Sequence, residues 1–82
     1  MTQEFNAFKR EQQAHISALL AQPNDWLLHQ QLLDQATHVY LHLLRALPTY
    51  PPAVALRVEL ADVIDTTVPS HVLGELLLSL LA

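Results

Sequence analysis

The chain has 82 residues, 51% of them hydrophobic and only 15% charged, with eight acidic side chains against four basic ones and a net charge of −4. That length holds one domain with a marginal core. Typical proteins are about 25% charged, so the composition excludes disorder and offers no basic patch for nucleic acid or an anionic membrane surface.

There is no cysteine. Disulfides cannot therefore supply the missing stability, and a partner chain or an oligomer is the simplest remaining source. The opening, Met1 to Gln13, is polar and lacks the apolar run of a signal peptide. The expectation is a soluble, cytoplasmic protein that fills residues 1–82 as one helical domain, binds no nucleic acid, enters no membrane and carries no cofactor.

Five prolines and a single glycine punctuate the chain. Proline is tolerated at a helix start and excluded from its interior. Pro23, Pro48, Pro51, Pro52 and Pro69 thus cut the chain into four stretches, and each reads as helix. Nothing alternates with a period of two over a useful length.

The first helix is predicted from Thr2 to Ala21. Phe5, Phe8, Ile16 and Leu19 recur near helical spacing, with Gln12 and His15 interrupting the stripe. Phe5 and Phe8 lie near a terminus, where they either close a bundle or are held by a partner. "QPND" then makes a turn, with Asn24 as the expected N-cap and Asp25 in the first turn, where the helix dipole favours an anion.

The second helix is predicted from Asp25 to Leu47. Trp26, Leu33, Ala36, Tyr40, Leu43 and Leu47 form a heptad-like seam, with Leu28, Leu32, Val39 and Ala46 beside it. So wide an apolar face implies contact with two neighbours. Trp26 is expected to anchor the core or an interface.

The third helix is predicted from Pro51 or Pro52 to Asp65, with Val54, Leu56, Leu60, Val63 and Ile64 as its apolar face and Arg57 and Glu59 in water. Thr66 or Thr67 is expected to cap the fourth helix. That last helix holds "SHVLGELLLSLLA", Ser70 to Ala82. It is too short for a membrane span, which needs about 20 apolar residues. On a helical wheel Leu76, Leu77, Leu80 and Leu81 fall within about 80° of Leu73, while Leu78 falls on the wet side beside His71. Another protein chain is the expected cover for Leu78.

Short loops make sequential helices antiparallel. The fold expected is all-α, either a small antiparallel four-helix bundle or two stacked helical hairpins. Ala36, Tyr40, Leu43 and Pro48, followed by "PTYPPAVALRVELA", resemble the end of one tetratricopeptide repeat and the start of the next. The resemblance covers Ala36 to Ala61. The second helix is too long for such a repeat, and the preceding stretch lacks the family's Trp–Leu–Gly–Tyr pattern. What the resemblance implies is protein binding.

Chemistry is sparse. His38 and His42 are four apart and so share a helix face, with Asp34 one turn earlier. Such a face can hold zinc if further ligands converge on it. More often it is a wet face with two ordinary histidines. Ser17, Ser70 and Ser79 are the only serines, and none sits in a Gly-x-Ser-x-Gly elbow.

The expectation is therefore a non-enzymatic protein-interaction module: an adaptor, an assembly chaperone or a complex subunit. Its expected contact residues are Phe5, Phe8, Leu73, Leu77, Leu78 and Leu81. The alternative is a bundle that binds a metal or small ligand through Asp34, His38 and His42.

Overall fold

A computed structural model describes all residues, 1–82. It contains four helices and no strand: α1 (Thr2–Leu20), α2 (Trp26–Ala46), α3 (Pro51–Asp65) and α4 (Ser70–Leu80). The boundaries follow local chemistry. Pro51 and Pro52 occupy the first positions of α3, where a missing N–H costs nothing. Pro69 immediately precedes α4.

Two caps differ from expectation. Asp25, not Asn24, is the N-cap of α2. Its backbone is extended, and its Oδ1 accepts hydrogen bonds from the N–H groups of Leu27 (2.9 Å) and Leu28 (3.2 Å). A carboxylate in that place answers both the orphan donors and the positive end of the helix dipole. Neither Thr66 nor Thr67 caps α4, whose N-cap position is Pro69 with no side-chain cap; Thr66 serves α3 instead. Its hydroxyl donates to the carbonyl of Asp62 at 2.8 Å and so closes the end of α3.

The helices run alternately up and down. Along α1 and α2, Phe8 meets His42 and Gln12 meets Gln35, so one number rises as the other falls. α2 and α3 are likewise antiparallel, with Leu44 beside Val54 and Val58 and Thr37 beside Ile64 and Asp65. α4 returns to lie along α1, where Lys9 donates to the carbonyl of Ala82 at 3.4 Å. The return of α4 onto α1 closes a four-helix bundle. α1 and α3 lie across its diagonal, and α2 and α4 meet through its middle.

Phe5 apart, the buried core cluster is aliphatic. Leu28, Leu32, Ala36, Val39 and Leu43 run along the buried side of α2 at steps of four and three. Facing them are Ile16 and Leu19 of α1, Leu56 and Leu60 of α3, and Leu73 and Leu77 of α4. Each such side chain contributes about 1.5–3 kcal/mol on burial. The buried line of α2 is rotated from the expected seam: Trp26 lies outside at 78% exposure, and Leu33 and Tyr40 are only half-buried. Gln12 is buried inside this core, and its side-chain oxygen accepts a hydrogen bond from the Gln35 amide.

Gly74 faces Leu20 where α4 meets α1. A β-carbon there would overlap the Leu20 side chain, with Cδ1 at only 2.8 Å. The missing side chain lets α4 approach α1 closely. The buried arc of α4 is centred near Leu77 and includes Leu73, Gly74 and Leu81. Leu78 is drawn with it and packs half-buried against its own core. Leu76 is left outside instead, at 39% exposure.

Candidate interaction surface

Most residues expected to face a partner lie inside the chain. Phe5, Leu73, Leu77 and Leu81 are all buried in the bundle. Phe5 packs edge-on against Tyr50 with ring centroids 5.5 Å apart, and Lys9 Nζ sits 4.8 Å above its ring. The Thr2 hydroxyl lies 3.0 Å from the Tyr50 hydroxyl. Phe8 is half-buried and stacks on the His42 ring at 4.2 Å and 14°. The two phenylalanines thus close one end of the bundle.

Asp34, His38 and His42 share the wet face of α2, all exposed. No three histidine, aspartate or glutamate side chains converge closely enough to share a metal ion. His42 is engaged by Phe8, and Asp34 and His38 line a shallow hollow with His15 and Gln31.

One stretch of exposed apolar surface lies on the other side of α2, where it meets α3; Trp26, Leu27, Leu41 and Leu76 are exposed elsewhere. Leu44 of α2 and Val54 and Val58 of α3 are exposed, Val58 by 60%. Together with Tyr40 and Ala61 they line a hollow of about 380 Å³. A second hollow of about 240 Å³ continues it past Thr37 and Ile64. Tyr40 and Ala61 line both, so the two form one groove along the outer face of the hairpin.

Charged residues border this groove unevenly. Asp62 lines one part and Asp65 the other. Arg57 also lines it, but it does not project into water as expected. Its Nη1 donates to the carbonyls of Leu43 and Leu47, each at 3.3 Å, and its Nη2 donates to that of Pro48 at 3.2 Å. Leu43 O also accepts the Leu47 N–H, so the guanidinium adds a second donor there, and a cation at the end of α2 is favoured by the helix dipole. The guanidinium ties α3 to the end of α2.

Compared with known proteins, the chain matches no family model, no curated protein and no solved structure. The tetratricopeptide likeness gains no support there, and α4 closes back on α1 where a repeat would stack onward.

The groove had a signal in the sequence. Set Leu56 at zero on the α3 wheel, and Val54 and Val58 both fall about 160° away. They cannot share the core face with Leu56 and Leu60. Counting Val54 as part of the inward face concealed this.

Proposed function

We propose that the chain is a small, non-enzymatic protein-interaction module, and that it meets its partner through the α2–α3 groove rather than through α4. The observation that carries this is the outward pair Val54 and Val58, aligned with Leu44 across a groove that the chain itself leaves open. Apolar residues aligned across an open groove offer a partner helix a place to bury its own apolar stripe. Protein-binding grooves are built this way, from apolar floors between rigid helices.

A photo-crosslinking residue at Val58 should trap another protein chain, and one at the exposed His71 should not. The Leu44→Asp, Val58→Asp double variant should bind less hydrophobic dye while melting as before. A monomer that binds no dye and gives no adduct at position 58 would overturn the proposal.

A further inference from the structure

We infer that the groove takes an amphipathic helix from another protein, one whose apolar stripe is flanked by lysine or arginine. This rests on the interaction reading above and names the partner's chemistry.

α3 supplies the first part of the argument. Leu56 and Leu60 point inward, and Val54 and Val58 point outward. A helix that is apolar on both faces is ordinarily covered on both. Val54, Val58 and Ala61 are spaced by four and then three, the spacing that seats a neighbouring helix. Tyr40 and Leu44 repeat the step of four across the groove. From Val54 to Asp65 the helical rise gives about 16 Å, so roughly three turns of a partner can lie along it.

Charge selects the occupant. Asp62 and Asp65 line the groove, and the charged side chains hydrogen-bonded within the chain are Lys9, Asp25 and Arg57. Arg57, the one cation lining the groove, directs three bonds to the end of α2. The charge left for a partner is negative, on a chain of net charge −4.

A second copy answers this poorly. Two antiparallel α3 helices related by a two-fold axis at the middle of the outward seam would set Asp65 against Val54 of the other copy. They would also keep Arg57 and Asp62 on opposite flanks. A carboxylate desolvated against valine is costly. A helix with apolar anchors over Leu44 and Val58 and cations beside Asp62 and Asp65 satisfies both features. The anchors supply the affinity, and the rim charges set encounter rate and register.

Two synthetic helices of about four turns, with identical leucine stripes and either lysine or glutamate flanks, serve as probes in fluorescence anisotropy. The lysine helix should bind at least about tenfold tighter than the glutamate helix. Val58→Asp should weaken it by about tenfold or more. The Asp62→Asn, Asp65→Asn double variant should weaken it by a few-fold and remove most of its salt dependence. Circular dichroism should be unchanged in all variants.

Equal binding of both helices, or binding unmoved by these variants, would overturn the inference while the interaction reading stands. So would a native dimer that Val58→Asp converts to monomer. Failure of both helices, with no crosslinked adduct at position 58, would remove the interaction reading as well.

Discussion

α4 and α3 both look too apolar for a small protein, and they resolve the problem in opposite ways. The leucines of α4 are mostly absorbed by its own chain, because Gly74 lets that helix press against Leu20. α3 has fewer leucines, yet it leaves Val54 and Val58 in the open. The total of apolar residues in a helix therefore says little about its availability to a partner. What matters is whether those residues fall on one face or two.

The contrast can be tested by placing charge on each face. Leu77 lies inside the bundle, so Leu77→Glu should abolish cooperative unfolding, read as loss of the denaturant transition. An unpaired buried charge costs several kcal/mol, comparable to the whole stability of a domain this small. Leu78→Glu should be milder, destabilising by about 1–3 kcal/mol, because Leu78 is only half-buried against the core. A Leu78→Glu protein as stable as the native chain would return that residue to the surface role expected from the wheel.

Arg57→Ala removes the tie between α3 and the end of α2. It should cost about 1–2 kcal/mol in urea unfolding, since hydrogen bonds from a charged donor are worth more than neutral ones. Asp25→Ala removes the cap of α2 and should cost about 1 kcal/mol. Val58→Asp should shift stability by no more than about 0.5 kcal/mol, as for other surface changes. A large loss there would mean that the outer face of α3 is structural, and the contrast with α4 would collapse.

The four helices are legible in the sequence because their signals are local. Pro51, Pro52 and Pro69 mark starts, and residues at steps of three and four mark faces. What is not legible depends on neighbours. Leu78 is misplaced by a wheel that weighs only hydrophobicity, because the rotation of α4 depends on how it packs against α1, where Gly74 meets the Leu20 side chain. Arg57 reads as a wet residue until the end of α2 arrives beside it. Asn24 and Asp25 are both good caps, and only the backbone decides between them. The groove is half-legible: the spacing of Val54 and Val58 is in the sequence, but its pairing with Leu44 exists only after α2 and α3 have packed.

Gln12 and Gln35 join α1 to α2 through an amide pair, Gln12 buried at the edge of a largely aliphatic interior and Gln35 half-buried beside it. Leucines slide past one another at little cost, whereas amides must meet. If α1 shifted by one turn along α2, the buried Gln12 amide would lose its partner while remaining shut away from water, and the half-buried Gln35 would turn to solvent. The pair therefore acts as an alignment key: it adds little to how strongly the helices hold and much to where they hold. Replacing both by leucine should leave the melting temperature equal or higher, while the single set of amide resonances expected of the native chain broadens or multiplies.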